Sequence, residues 1–189
     1  MLPSQFGKYA AAAVLLACGC LYAATPSQET DQTFLRKAGE INLAEIELGK
    51  LAETRATNPV VRSLGQQLRA GHKQNLEASL TPLAEKDGVA LPSKLSSADE
   101  QLKDKLEKIS GAQFEHQYVE AMIGGHKQAI GFFEKAIKTA KSPAVKSYAE
   151  KTLPMLQKHL SLALNAQSAI GIAEPVSTSA PEYRPEKMR

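Results

Sequence analysis

One eight-residue pattern occurs twice and limits the folds open to this chain. Asn58-Pro59-Val60-Val61-Arg62-Ser63-Leu64-Gly65 is echoed by Ser142-Pro143-Ala144-Val145-Lys146-Ser147-Tyr148-Ala149. In each copy a polar residue suited to N-capping precedes a proline. The fixed φ and missing N–H of that proline suit the first position of a helix. Each copy therefore reads as the turn and second-helix start of a helical hairpin. Two such hairpins joined by a long connection imply a bundle with pseudo-twofold symmetry.

The helices follow from these turns. The first is expected from Thr33 to Ala56 after a polar lead-in over 25–32, and the second from Pro59 to Asp87, with Gly88 as its C-terminal stop. Val89 to Ser96 reads as extended linker. Ser97 with Glu100 forms a capping-box pattern that opens a short helix to Ile109, and Ser110 with Gln113 repeats it at the start of a third long helix ending near Ala140. The fourth runs from Pro143 to Ala169, where Pro154 is expected to kink it. Residues 170–189 read as a disordered tail, because three prolines and little apolar content leave nothing to bury. No segment of the mature part alternates with the period of a half-buried strand. The expected fold is an all-α, ferritin-like four-helix bundle with a long crossover between helices 2 and 3 containing a short helix. The crossover follows from length. Neighbouring antiparallel helices need only a few residues between them, whereas Gly88 to Ser110 spans 23. Thirteen helical residues cover about 20 Å and ten extended ones add roughly 33 Å, enough to run the length of a bundle of about 45 Å.

The first 24 residues differ in kind. Lys8 is their only charged side chain, and the run behind it is too short for a membrane span, so it reads as a secretory signal. Leu15-Leu16-Ala17-Cys18 resembles a lipobox that would acylate Cys18, and ordinary cleavage near Ala23 or Ala24 is the rival. The chain is thus expected to be exported, either to the periplasm or lipid-anchored to the outer membrane. Both cysteines, Cys18 and Cys20, lie in this segment, leaving the folded domain without a thiol for disulfide, zinc or nucleophilic chemistry. The 23 basic and 20 acidic residues are interspersed, as on a solvated helix surface, and no basic stripe suggests nucleic acid as a partner.

At 100° per residue, Glu45 falls inside the apolar stripe that Phe34, Ala38, Ile41, Leu48 and Ala52 form on the first helix. His72, His126 and His159 fall inside the stripes of the other three. An apolar stripe covers about a third of a helix surface, so three histidines facing inward by chance is on the order of 1 in 25. Glu45 and His72 each lie about 20 Å from the first hairpin turn, and His126 and His159 about 25 Å from the second. A crossover that puts the two turns at opposite ends brings all four to one level. Two readings stay open. Glu45, His72, His126 and His159 could hold one transition-metal ion (Zn, Cu, Fe or Ni), since neutral imidazoles and a carboxylate are adequate ligands. Alternatively they form a metal-free polar layer that fixes helix register. His116 points outward, and Glu115 points inward in the first turn of its helix. Gly124-Gly125 is read as a place of close helix approach. No nucleophile triad is present.

The segment from Phe34 to about Ala166 resembles the family called domain of unknown function 4142, a ferritin-like group of exported bacterial proteins. The resemblance rests on Leu43-Ala44-Glu45-Ile46-Glu47-Leu48-Gly49-Lys50-Leu51-Ala52, the Asn58-Pro59 turn, His72 and Phe114-Glu115 with Tyr118. It continues through His126 with Phe133-Glu134, and Leu153-Pro154 with His159-Leu160. It implies a ferritin-like bundle and an envelope location and brings no established activity. A conventional di-iron centre is not expected, because the residues three before His72, His116, His126 and His159 are Arg69, Gln113, Ile123 and Leu156 rather than glutamates. The functions in view are a non-enzymatic envelope metal binder, a metal-dependent oxidoreductase, and a metal-free structural or interaction module.

Overall fold

The computed structural model describes residues 26–171, with side-chain environments from residue 30. The signal segment, Cys18 and the tail beyond Gly171 lie outside the described residues. Among the described residues there are six α-helices: α1 (Pro26–Arg55), α2 (Pro59–Asn75), α3 (Thr81–Lys86), α4 (Ser97–Glu107), α5 (Gly111–Thr139) and α6 (Pro143–Ala169). A π-helical turn, Leu76–Leu80, joins α2 to α3, so the second rod of the bundle runs from Pro59 to Lys86. The wide turn lies just ahead of Pro82. A proline there offers no N–H to the preceding turn and its ring would collide with the carbonyl four residues back, and a π turn relieves both conflicts.

The two hairpin turns are capped as their sequences predict. Asn58 accepts a hydrogen bond from the Val60 N–H, and Ser142 accepts one from Val145. Gly88, at φ 66°, ends α3 in a Schellman arrangement: the Val89 N–H donates to the Ala84 carbonyl at 2.8 Å and the Gly88 N–H to Glu85 at 3.1 Å. Three expectations need correction. The polar lead-in expected over 25–32 is helical from Pro26, because Asp31 is buried and serves the far hairpin's turn. The short helix is capped by Ser96, which accepts from the Asp99 N–H, one position before the expected Ser97 and Glu100 pair. At Ser110 the N-cap position is occupied, but its side chain makes no capping bond. α6 continues through Pro154 without leaving the helix.

Two contacts fix the topology. Glu115, at the start of α5, accepts from the Thr57 and Asn58 N–H groups at 2.9 and 2.6 Å and from the Thr57 hydroxyl at 2.7 Å. Asp31, near the start of α1, accepts from the Lys141 and Ser142 N–H groups, the latter at 2.7 Å. Each hairpin thus holds the turn of the other, and the two turns lie at opposite ends of the bundle. The segment from Val89 to α4 crosses between those ends. Pro92 lies so close to α1 that a Cβ on Gly39 would sit 2.8 Å from its Cδ, and Leu106 of α4 is fully buried. This is the long-crossover connectivity of ferritin-like bundles.

The backbones of α1 and α2 approach closely. A Cβ on Gly49 would lie 2.7 Å from the Gly65 carbonyl, and one on Gly65 would lie 2.7 Å from the Ala52 Cβ. Only glycine at both positions lets the helices come this near. The expected close approach at Gly124-Gly125 is absent: a Cβ on Gly124 would meet nothing within 4 Å, and one on Gly125 only the Glu45 carboxylate.

The apolar interior is divided in two. One cluster, at the Thr57 end, is built on Leu64, Leu68, Leu106, Phe114, Tyr118 and Met122; the other, at the Lys141 end, on Phe34, Leu35, Leu80, Phe133, Tyr148 and Leu156. Between them lies a band of buried polar side chains: Asn42, Glu45, His72, His126, Thr152 and His159. No helix among the described residues is long and apolar enough to cross a membrane.

Candidate metal centre

Three of the four polar residues expected at one level meet there as a cluster. His72 on α2, His126 on α5 and His159 on α6 have ring centroids 5.0 to 5.7 Å apart, and all three are at most 4 % exposed. Each offers a ring nitrogen within 4.8 Å of the others. Glu45 on α1 is buried beside them but outside this group. Its Oε1 lies 3.6 Å from the His126 Nδ1. His116 is exposed, as its helix position implies.

The hydrogen bonds around the cluster determine where the protons sit. Asn42 donates from Nδ2 to the Ala38 carbonyl at 2.8 Å, which turns its Oδ1 toward His72. The His72 Nδ1–H therefore donates to Asn42 at 3.1 Å and leaves Nε2 as a bare lone pair. The His126 Nδ1–H donates to the Met122 carbonyl one turn back, at 2.8 Å. Its Nε2 is likewise a lone pair, and it is buried without a hydrogen-bond partner among the described residues. His159 places its Nδ1 3.3 Å from the His72 Nε2. Its opposite ring edge packs on Gly71, where a Cβ would lie 2.7 Å from both Cε1 and Nε2. His159 lines a surface cleft between α2 and α6.

Burial favours the neutral form of His72, His159 and Glu45. It lowers the His72 pKa well below the usual imidazole value, with His159 and His126 adding to the effect. The His159 pKa is lowered to about 4, by burial first and then by His126 and Lys158. Burial raises the Glu45 carboxyl above the usual carboxylate value, partly offset by His126 and reinforced by Asp99. Neutral imidazoles with free lone pairs are the form in which histidine binds metal. Outer groups that hold the far ring nitrogen, as Asn42 and the Met122 carbonyl do, are the usual support of a histidine ligand.

Periodicity alone places Thr152 on the inward face of its helix, as found, but Asn42 and Asn75 were not singled out by it. Asn75 donates to the Thr152 hydroxyl at 3.0 Å and accepts from the Tyr148 hydroxyl at 2.8 Å. Burial pushes the Tyr148 phenol up to about 12, so it stays a donor. The internal repeat carried a signal that finds both asparagines. Asn58 and Ser142 are 84 residues apart, as are Asp31 and Glu115. The same spacing pairs Asn42 with His126 and Asn75 with His159. The polar band is therefore pseudo-symmetric, with asparagines in the first hairpin where the second carries histidines. His72 and Glu45 break that symmetry, since their counterparts are Leu156 and Ala129.

Fold and site together define a class: a crossover four-helix bundle whose core is interrupted by a buried cluster of three histidines able to hold a metal ion. The chain belongs to the family described as domain of unknown function DUF4142, whose model matches residues 21–165. No curated protein matches it. Among solved structures, a DUF305 fragment from Deinococcus radiodurans is similar, with a TM-score of 0.64 at 16% sequence identity, over 79% of this chain and 99% of the fragment. At that identity the likeness establishes the fold alone.

Proposed function

We propose that this protein is an exported envelope protein that binds one transition-metal ion (Zn, Cu, Fe or Ni) through His72, His126 and His159. The observation that carries this reading is the His126 Nε2: a buried lone pair without a partner among the described residues, on a ring clustered with imidazoles from two other helices. A buried polar atom left unsatisfied is costly, and a cation coordinated by all three nitrogens would satisfy it. The spacing supports this. Ligands on a tetrahedral zinc stand about 3.3 Å apart when each is 2.0–2.1 Å from the ion, and the His159 Nδ1 and His72 Nε2 are already 3.3 Å apart.

In this reading the ligands are Nε2 of His72, Nε2 of His126 and Nδ1 of His159. Two of the three tautomers are set in advance. Only His159 must shift its proton to Nε2, which borders the cleft between α2 and α6. Glu45 acts from outside the centre, as a carboxylate on the far side of the His126 ring. Three nitrogens leave one position on a tetrahedral ion for water or another ligand.

A metal-free polar layer is the second reading, and one contact favours it: the His159 Nδ1–H can donate directly to the His72 Nε2 at 3.3 Å. Thermal unfolding of chelator-treated protein with each of the four metals separates the two. Under the metal reading, one ion per chain binds, and a free concentration a hundred times the dissociation constant stabilises the fold by about 2.7 kcal/mol. Absence of stoichiometric binding and of any thermal shift removes the metal reading and leaves the polar layer.

A further inference from the structure

α1, α4 and α5 enclose a cleft of about 350 Å³ on the side of the bundle away from His159. Its walls are mostly apolar, formed by Ile41, Leu48, Leu102, Met122 and Phe132, and Glu45 lies among them. Along α1 the lining runs from Lys37 to Leu48, about 16 Å of helix, so the cleft is long and narrow. Its volume falls within the range of small-molecule sites, and a few well-placed polar groups in an apolar wall are how such sites orient a ligand.

Glu45 has not used its hydrogen-bonding capacity. The residue is 7 % exposed, and its Oε2 is buried with no partner among the described residues. Its Oε1 is 3.6 Å from the His126 Nδ1, whose proton is committed to the Met122 carbonyl at 2.8 Å. Asp99 adds a second carboxyl to the lining. The one basic side chain there, Lys37, is paired with Glu40 at 2.7 Å and lies two helical turns, about 12 Å, from Glu45. Beside the carboxylate is Gly125, where a Cβ would stand at ordinary contact distance, 3.6 Å, from Oε1.

We infer that this cleft binds an organic cation, a primary amine with a slender apolar body, whose ammonium group donates to Glu45 while its carbon chain lies against Ile41, Leu48, Leu102 and Phe132. A metal cation fits less well. Calcium takes six to eight oxygen ligands and magnesium six. Glu45, Asp99 and Gln128 are the side-chain oxygen donors of this lining, and Asp99 already holds the Ser96 hydroxyl at 2.5 Å. An anionic ligand would be opposed by Glu45 and Asp99, and a neutral one would gain no ion pair. The inference does not depend on metal binding at the histidines, which lie beyond the His126 ring.

Calorimetric titration of the full chain tests it, with chelator present so that an amine is not read as a metal ligand. The probes are hexylamine, 1-hexanol and hexanoate. Hexylamine is expected to bind saturably and at least about tenfold more tightly than 1-hexanol, a difference of about 1.4 kcal/mol, and hexanoate not to bind. Glu45→Gln should bring hexylamine down to the affinity of the alcohol. Ala121→Phe, which fills the cleft from its partly exposed wall, should weaken both. Equal affinity for amine and alcohol, no saturable binding of the amine, or full affinity retained in folded Glu45→Gln would each overturn the assignment. The amine-to-alcohol comparison on unmodified protein decides the matter even where a variant does not fold.

Discussion

At the residue scale, the chemistry of the cluster is set by atoms that never face its centre. Asn42 holds the proton of His72 on Nδ1, and the Met122 carbonyl does the same for His126, so both Nε2 lone pairs face inward. Asn42→Ala should leave the fold intact and weaken metal affinity by roughly 10–100-fold, the usual cost of losing an outer hydrogen bond to a histidine ligand, as read by competition with a chromogenic chelator. Gly71→Ala should act through His159: its Cβ would stand 2.7 Å from the ring, so the imidazole must move. A loss of similar size is expected, and unchanged affinity would separate His159 from the site.

Stability against pH is a further residue-scale test. The folded-state pKa of His159, about 4, lies below the ordinary imidazole value of 6.5, so between these the unfolded chain takes up a proton that the folded protein refuses. Stability is therefore lost as pH falls from 6.5 toward 4, by about 3 kcal/mol from His159 alone. His72 adds to the loss in the same direction. Glu45 opposes it, because its raised pKa lets the folded state take up a proton before the unfolded chain does. Denaturant titrations of metal-free protein at pH 7.5, 6 and 5 should show the decline, and His159→Gln should flatten it.

At the scale of elements, the two hairpins are tied by reciprocal acids. Burial alone would raise the Glu115 carboxyl, but hydrogen bonds from the Thr57 side chain and from the Asn58 and Thr57 backbone outweigh it and hold the pKa below the usual value. Glu115→Ala leaves two backbone N–H groups of the first turn without their acceptor and should destabilise the fold by about 2–3 kcal/mol, as measured by urea unfolding. Asp31→Ala should do the same at the opposite end, and the two losses should add, since the sites share no partner. The helices themselves were legible because Asn58-Pro59, Gly88 and Ser142-Pro143 act locally, through caps and fixed φ. The start of α1 was not. Nothing local distinguishes residues 26–32 from a polar tail, and their helicity is tied to the seating of Asp31 on Lys141 and Ser142. The π turn was hidden for a similar reason. Pro82 signals a disturbed helix but does not say whether the chain will break, kink or widen.

At the scale of the whole molecule, helix periodicity and distance from the hairpin turns placed His72, His126 and His159 at one level, because rise per residue is nearly constant along a rod. The same arithmetic placed Glu45 at that level but could not say which edge of His126 it would face. That depends on helix rotation and on the packing set by Gly49 and Gly65. The polar band splits the core into two apolar clusters and gives up hydrophobic contact at mid-bundle. Such a layer is retained when it selects register or holds a ligand. We propose the second role, with the crossover helix α4 serving as one wall of the amine cleft.

X-ray absorption of chelator-treated protein reconstituted with one equivalent of zinc tests the central claim most directly. Three imidazole nitrogens at about 2.0–2.1 Å are expected, with one of them lost in His126→Ala. A coordination shell of oxygens only, or one unchanged in that variant, would contradict a metal centre built from these three helices.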